Sequence, residues 1–548
     1  MPVTNEVTLL MDRYEHPELI QRFMELAEDE RYSTEEIWKD ITSYLLPDRK
    51  LYLEYGTGKD REHYSKDVFD GHPIAFLQLA SRGIYGNTCS ENINWVDTIP
   101  TNERYRNDRR ILEHMQGLTH QMYREYSLSN WYAEAEMFIK DGLAMGTATM
   151  FHSWNYRKGT SQWDTRNPAE IYVFRNEDGD IDCIFRKFEM HAQTAVMMWP
   201  DTISEDVTRM AASNPWAYVT IVHACIPRRM YDPGVATIGR KKWGSYFKEY
   251  GKNKEMLDES GYDLFPYINW QMERASGEDY GRGIGHLAYY DIKTLNVLTE
   301  SGTRAAQLGA DPPVQAPEEL EGKLRNRPHG VTFYEDPSRL VHGYDQGFQY
   351  PITKDMTTHT MDVLKQHFMV DLFMMLQQQT GRMTAFEVSE RIGEKVQTLG
   401  PIVSGLAKTA LDHSNELCVQ DIYQHRKFPA MPAELKQEGV NFDYIGPLAM
   451  AQKRLEQGQG MQRALQEIIP VLQIDPTPGK AVNWYEWIKT NFRMHNIPVD
   501  LLTPKREFDE MLQREAQAAQ QQQQAEMAAK LGQGMAALPQ PTNAAANR

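Results

Sequence analysis

The sequence predicts a mainly α-helical protein with a smaller β component, an α+β fold. Three observations predict this class: helical spacing of apolar residues before residue 147, two-residue alternation from there to Ile226, and long helical runs in the second half. With 548 residues, of which 41% are hydrophobic and 25% charged, the chain has the composition of a folded soluble protein. At this length we expect about two to four substructures.

The N-terminal part is predicted to be helical because its apolar residues recur at three- and four-residue spacing. Pro47 and Gly146 are the predicted stops of the second and the last run. The five predicted runs are Leu19–Ala27, Ile37–Leu46, Ala75–Ala80, Ile111–Tyr126 and Trp131–Met145.

Strands are predicted after Gly146, where the apolar period changes to two. The turn Asn176–Asp180 predicts a hairpin, with Gly179 supplying a positive φ. A helical interruption at Ala192–Met210 is expected to separate a small antiparallel sheet from a second strand group. The first group is Thr149–His152, Ile171–Phe174, Ile181–Phe185 and Tyr218–Val222, and the second is Trp243–Phe247 and Tyr267–Trp270.

Two long helices are predicted on either side of a Pro-rich insert that begins Asp311-Pro312-Pro313. The first covers Ile284–Leu308 and, at 1.5 Å per residue, would reach roughly 37 Å. The second covers Lys354–Gln379. Their narrow apolar stripes must be covered by other helices, from this chain or from neighbouring copies. The stripes are Ile284, Leu287, Ala288, Ile292, Leu295 and Leu298 on the first helix, and Met361, Leu364, Phe368, Leu372 and Met375 on the second.

The remaining chain is predicted to be helical in three further stretches. A capping-box pattern at Thr384–Glu387 begins a helix that runs past a kink at Gly400-Pro401 to His425. Tyr444–Met494 is predicted to form a compact helical cap. The last helix starts after Pro504 and passes into a Gln-rich, Ala-rich tail that we expect to be disordered after about Leu531.

Charge and cysteine content exclude several classes of protein. The formal net charge of −17 is opposite in sign to that of an ordinary sequence-specific nucleic-acid binder. Cys89, Cys183, Cys225 and Cys418 show no metal-ligand spacing and are predicted to be reduced core residues. No apolar run is long enough to span a bilayer and no export signal begins the chain, so we expect no membrane partner.

No catalytic motif is present, and no cofactor or metal is predicted. Gly281-Arg282-Gly283-Ile284-Gly285 lacks the spacing of a dinucleotide loop, and we interpret it as a flexible neck where a helix leaves the body. P-loop, HExxH and GxSxG patterns are absent. His359 and His367 are expected to be solvated, and the acidic turn around Asp178 is expected to be a plain turn and not a cation site.

Two polar segments are candidate contact sites. The insert carries a basic cluster that is either a solvated patch or a contact for a partner or passing nucleic acid. A glutamine loop follows the second long helix, and its cation is either an ordinary surface residue or a phosphate contact within a pore. The cluster is Lys323, Arg325 and Arg327, with His329 beside it, and the loop is Gln378, Gln379, Thr380, Gly381, Arg382 and Met383.

This order of parts resembles the portal, or head-to-tail connector, proteins of T7-like short-tailed bacteriophages over nearly the whole chain. None of the segments that carry the resemblance is catalytic, but their order and spacing are fairly specific. They are Pro266–Trp270, Gly277–Gly283, Asp291–Asn296, Asp311–Pro313 and Gly381–Val388.

The resemblance implies a portal fold with wing, stem, clip and crown regions in a homododecameric ring. The domains would be 1–280 wing, 281–310 first stem helix, 311–353 clip, 354–376 second stem helix, 377–383 tunnel loop, 384–430 wing or crown helix, 431–503 crown, 504–530 C-terminal barrel helix and 531–548 disordered tail. The cluster at Lys323 would then dock partners, and the loop at Arg382 would face the channel.

The function implied is that of a structural conduit without enzymatic activity. Double-stranded DNA would pass non-specifically through the ring during packaging and ejection. A terminase motor, tail adaptor and nozzle proteins, major capsid and scaffolding proteins and internal core proteins would be its partners. The protein would be made in the host cytoplasm and reside in the virion, at the portal vertex of the capsid. The alternative is a subunit of a nuclease or helicase, which needs clustered carboxylates or a P-loop.

Overall fold

The computed structural model describes two units of the chain, residues 1–451 and 452–548. Within the first, it describes residues 16–47, 68–228 except 177, 241–251, 256–274, 277–310, 314–315, 342–343, 350–377 and 399–449. Within the second, residues 485, 488, 508, 511 and 514 are described, and all five are helical. There the Tyr485 and Phe508 rings pack with centroids 5.7 Å apart.

Helices form the larger part of the described first unit, as predicted. Gly146 ends α4 in the left-handed conformation (φ 81°), as expected for a C-terminal glycine. The helices before the last strands are α1 His16–Leu45, α2 His72–Thr88, α3 Arg109–Leu128, α4 Trp131–Met145, α5 Ala192–Met198, α6 Glu205–Ser213, α7 Ile284–Leu287, α8 Tyr289–Ala310, α9 Tyr350–His367 and α10 Val370–Gln377. Residues 399–406, the π-helical turn Ala407–Leu411, α11 Asp412–His425 and α12 Ala433–Glu438 follow.

All described strand pairs are antiparallel. Five strands form one sheet in the order β4-β5-β6-β7-β8, three form a second in the order β3-β2-β9, and β1 pairs with β12. Their bounds are β1 Val96–Pro100, β2 Thr147–Asn155, β3 Thr160–Arg166, β4 Ile171–Arg175, β5 Ile181–His191, β6 Tyr218–Pro227, β7 Trp243–Glu249, β8 Met256–Tyr262, β9 Tyr267–Gln271, β10 Val314–Gln315, β11 His342–Gly343 and β12 Val440–Tyr444.

Both faces of the five-stranded sheet are buried. On one face α1 packs its apolar residues, among them Phe23 and Met24, against Tyr172, Phe174 and Phe185. The opposite face contributes alternate residues of the same strands to a second cluster that includes Phe265 and Tyr267. Because successive side chains of a strand point to opposite faces, the apolar runs of β4 and β6 fill both clusters. Helices α5 and α6 cover the end of the sheet in a third cluster.

Several predictions of element bounds are wrong in detail. The runs Leu19–Ala27 and Ile37–Leu46 belong to one helix of 30 residues, and Ile37 lies off its buried face because 43% of its surface is exposed. The helical interruption after β5 does not separate two sheets, since β6 pairs with β5 and β7. The strand β9 leaves that group and pairs with β2. Strand β12, Val440–Tyr444, pairs with β1, so the helical stretch predicted from Tyr444 does not begin there.

The hairpin turn and the cysteines follow the predictions. Asn176 N–H donates to Asp180 O at 2.9 Å, and Gly179 has φ 86°, so the acidic stretch closes the β4–β5 turn. All four cysteines are buried free thiols. Burial raises the pKa of the Cys89 thiol to about 12, which suits a core residue rather than a nucleophile. No described helix has the length and apolarity required to cross a lipid bilayer.

Candidate functional site

Helices α8 and α9 pack against each other and form a helical hairpin. In the insert between them, β10 pairs with β11 in an antiparallel ladder that joins Val314 to Gly343 and Gln315 to His342. The chain therefore turns back on itself within the insert, as the proline-bounded segment predicts. We refer to α8 and α9 together as the hairpin.

The predicted apolar stripes form most of the hairpin core. Ile292, Leu295, Leu364 and Phe368 are each less than 5% exposed. Leu287 was wrongly placed in the stripe, because 49% of its surface is exposed. Leu298 and Met361 are half-buried, and Met375 lies outside the described side chains.

The second long helix is broken where a continuous run to Gln379 was predicted. Helix α9 ends at His367, and α10 starts at Val370. Met369, between them, has φ 51°, a left-handed conformation that no other non-glycine residue adopts in the described chain. The break lets Phe368 and Phe373 both reach α2, where the Phe368 and Phe76 ring centroids are 6.3 Å apart.

Helix α10 packs against α2 at Gly83, a contact that we call the seat of α10. A Cβ atom at this position would overlap the Phe373 ring, which is only 2% exposed. Gly86, one turn later in α2, has open space where its Cβ would be. The absence of a side chain at Gly83 is thus what allows α10 to approach α2.

We therefore expect Gly83→Ala and Gly86→Ala to change stability in opposite directions. Gly83→Ala should lower the free energy of unfolding by about 1–3 kcal/mol, because Phe373 must move. Gly86→Ala should raise it by up to about 1 kcal/mol, since alanine is the better helix former. Urea titration followed by tryptophan fluorescence measures both. Equal effects would contradict the proposed seat.

Polar contacts attach α8 to the body. The Asn296 side-chain oxygen accepts from Phe69 N at 2.7 Å and from Asp70 N at 3.3 Å. Thr299 Oγ1 donates to Asp70 Oδ2 at 3.0 Å. One turn earlier, Lys293 Nζ lies 2.7 Å from Asp40 Oδ2 of α1. Sequence reasoning missed these contacts, although the polar Asn296 next to the apolar stripe was a usable signal.

The neck before α7 is closely packed, so its interpretation as a flexible segment is wrong. A Cβ at Gly283 would lie 2.5 Å from Leu143 O, and one at Gly285 would overlap Ala144 O. Gly281 N–H donates to Thr147 Oγ1 at 2.8 Å. The glycines are required for the close approach of two backbones, not for flexibility.

One side of the α7–α8 segment carries three exposed large hydrophobic side chains, with the exposed Thr294 between two of them. Leu287 is 49% exposed, Tyr290 77% and Val297 58%. Positions 287, 290 and 297 share a side of a helix because they are three and seven residues apart. Exposed apolar side chains grouped on one side of a helix are typical of a surface that another molecule covers.

The predicted contact residues lie outside the described residues. This applies to the insert cluster Lys323, Arg325, Arg327 and His329 and to the loop residues Gln378, Gln379, Thr380, Gly381, Arg382 and Met383. The described part of α10 ends at Gln377, directly before that loop.

The histidines of the hairpin differ from each other. His359 is exposed, as predicted. His367 is not simply solvated, because its Nε2 lies 3.4 Å from Asp291 Oδ2 of α8. Among the described residues no group of three or more His, Cys, Asp and Glu side chains could hold a metal ion.

A buried polar group resembles a catalytic triad in composition only. His152 Nε2 lies 2.9 Å from Asp421 Oδ2, and Ser161 Oγ donates to the same oxygen at 2.5 Å. The serine thus bonds the carboxylate and not the imidazole, and all three side chains are buried. A nucleophile needs its base within hydrogen-bond reach, and Ser161 has no such contact with His152, so the group is not arranged for catalysis. Its hydrogen bonds connect β2 and β3 to α11.

Comparison with known proteins assigns the class. The family model described as "Bacteriophage head to tail connecting protein" matches residues 17–502, and the chain belongs to this family. The assignment confirms the resemblance and the prediction of a structural connector that is not an enzyme.

Two relatives match over almost their whole length. The chain is 24% identical over 537 residues to the "Probable portal protein" of Bordetella phage BPP-1, covering 96% of this chain and 95% of the relative. It is 23% identical over 543 residues to the "Portal protein" of Salmonella phage epsilon15, covering 96% of both chains.

Proposed function

We propose that this protein is the portal of a short-tailed bacteriophage, a homododecameric ring at the capsid vertex through which double-stranded DNA is packaged and later ejected. The hairpin is the stem of this ring. The observation that carries the proposal is the row of exposed apolar residues Leu287, Tyr290 and Val297, which runs from α7 into the first helix of the hairpin. Copies arranged around an axis cover such a row with their neighbours.

The charge of the chain suits a channel through which DNA slides. Twelve copies at −17 each carry about −204 formal charges, which repel phosphates over most of the ring. Arg382 in the tunnel loop and the insert cations Lys323, Arg325 and Arg327 would then touch the duplex or a partner locally and weakly.

The remaining regions take the roles implied by the family. Residues 311–353 form the clip, which docks the terminase motor and afterwards the tail adaptor and nozzle proteins. The five-stranded sheet with α1 to α6 belongs to the wing, facing the capsid and scaffolding proteins. Residues 431–503 form the crown and 504–530 a helical barrel toward the internal core proteins.

Assembly provides the direct test. Native mass spectrometry and negative-stain microscopy of the purified chain should show a closed ring with a central hole. Tyr290→Lys with Val297→Glu should prevent ring closure, while Tyr156→Lys, at a residue 84% exposed on the β2–β3 turn, should not. A wild-type chain that stays monomeric at micromolar concentration would contradict the proposal.

Deletion of residues 378–382 separates assembly from DNA handling. We expect rings to form as in the wild type, because the apolar row is unchanged. Packaging or retention of DNA, measured as DNase-protected genome per particle, should fall several-fold because the loop that touches the cargo is lost. Loss of ring assembly in this variant would count against the placement of the loop in the channel.

A further inference from the structure

An arginine-rich segment follows strand β1 of the β1–β12 pair. The sequence Glu103-Arg104-Tyr105-Arg106-Asn107-Asp108-Arg109-Arg110 covers a 3-10 turn and the start of α3. All four of its arginines are exposed. Asn102 and Asp108 cap the turn and the helix by accepting from Arg104 N and Arg110 N, so the backbone of the segment is fixed. The segment is an ordered basic surface on a chain whose net charge is −17.

The arginines are only partly neutralised within their own chain. Arg106 lies 3.4 Å from Glu103, Arg109 2.7 Å from Glu113 and Arg110 2.6 Å from Glu434. Within the described part of the chain, Arg104 has no ion-pair partner. Exposed pairs of this kind contribute little and can exchange partners at low cost.

A groove of the opposite character lies between α1 and the neck. It has a volume of about 760 Å³, and its lining includes three carboxylates, one arginine and two exposed apolar side chains: Glu30, Glu278, Asp279, Arg282, Ile37 and Tyr290. Ile37 is 43% and Tyr290 77% exposed, so the groove has an uncovered apolar floor.

The rim of the groove is acidic. Glu36, next to Ile37, is exposed, and in the described residues neither it nor Glu30 has an ion-pair partner. Burial, and after it the nearby Asp279, raises the pKa of Glu30. Arg282 pairs with Glu278, and Arg175 Nε lies 3.7 Å from Asp279 Oδ1, so Glu30 and Glu36 are the carboxylates here that remain available to a cation of another molecule.

We propose that the groove of each subunit receives the segment Glu103–Arg110 of the neighbouring subunit. The inference rests on the proposed ring, because a closed ring requires two different complementary surfaces on every copy. Copies that each carry −17 repel one another, so a contact that joins patches of opposite charge favours their association. The arginine stems cover the apolar floor, and the guanidinium groups meet the carboxylates of the rim. Tyr105 packs within its own chain and anchors the segment there.

Charge reversal on either surface tests the pairing. Variant one is Arg104→Glu with Arg106→Glu, and variant two is Glu30→Arg with Glu36→Arg. Each alone places like charges against each other and should reduce the ring fraction in native mass spectrometry at least tenfold at 150 mM salt. An equimolar mixture should form rings again, because every segment then has an oppositely charged groove on an adjacent subunit.

Controls separate this inference from the proposed function. Arg209→Glu changes an exposed arginine of α6 and should leave ring formation unchanged. Circular dichroism of each variant should match the wild type. If the wild type forms rings and the single variants form them equally well, the pairing is wrong but the portal function stands. The same holds if the variants lose ring formation and mixing them does not restore it. A wild-type chain that forms no ring would instead refute the function itself.

Discussion

Replacement of Arg426 by alanine is expected to lower the free energy of unfolding by about 3 kcal/mol, because it leaves a buried carboxylate unpaired. Arg426 Nε and Nη2 donate to the two oxygens of Glu125 at 2.6 and 2.7 Å. Glu125 is 1% exposed and Arg426 28%. The pair connects α3 to the end of α11, and Arg426 also donates to Gly159 O at 3.0 Å.

The exposed ion pair Arg209–Asp206 serves as the control for the buried pair Arg426–Glu125. Arg209→Ala removes an exposed pair with Asp206 and should cost less than about 1 kcal/mol. Adding Glu125→Gln to Arg426→Ala should recover part of the loss, since the neutral amide is cheaper to bury than a lone charge. Urea unfolding followed by tryptophan fluorescence measures all three. Equal costs for Arg426→Ala and Arg209→Ala would show that Glu125 is not an unpaired buried charge in the variant.

Acid is expected to destabilise the protein through His223, which lies inside the five-stranded sheet. Its ring nitrogens contact Tyr267 OH at 2.8 Å and Ser245 Oγ at 2.9 Å. Burial, helped by Arg186 and Arg166, lowers the pKa of His223 to about 3. In the unfolded chain the pKa of histidine is about 6.5. The unfolded state therefore binds more protons between these values, and stability falls as the pH drops through this window.

The slope of this loss is about 1.4 kcal/mol per pH unit once the pH is well below 6.5. His223→Gln, which keeps polar atoms for both partners, should remove that contribution while leaving the carboxylate titrations in place. Urea unfolding of both chains at pH 7, 6, 5 and 4.5 gives the difference in slope directly. Parallel stability curves for the two chains would mean that His223 does not stay neutral when folded.

Segments with strong apolar periodicity could be predicted from the sequence. Polar strands, and pairings between strands far apart in the chain, could not. Helix α4 was predicted with both of its ends, because Gly146 marks the stop. Strand β3, with the sequence TSQWDTR, was missed because Ser161 and Trp163 are its only fully buried residues. The β1–β12 pair joins residues that are far apart in the chain, and no local pattern records such pairing.

The hairpin was predicted because its two stripes have helical spacing, whereas its seat on the body was not. The break at Met369 lies where Phe368 and Phe373 pack on α2, and nothing in the local run from Leu364 to Met375 indicates it. At the neck, the residues were recognised from the sequence but their structural role was not. Its glycines were recognised, but a sequence does not distinguish a glycine that allows flexibility from one that admits a neighbouring backbone.

The neck also has a mechanical consequence. Where α7 leaves the body, main chain rests on main chain at Gly146, Gly281 and Gly283, with no side chain between to yield. A force along the hairpin would therefore be transmitted directly to α4 and β2, because backbone atoms are in contact there and cannot move aside as a side chain can. A bulkier residue at Gly283 would therefore tilt the hairpin relative to the body, and its displacement would increase with distance from the neck.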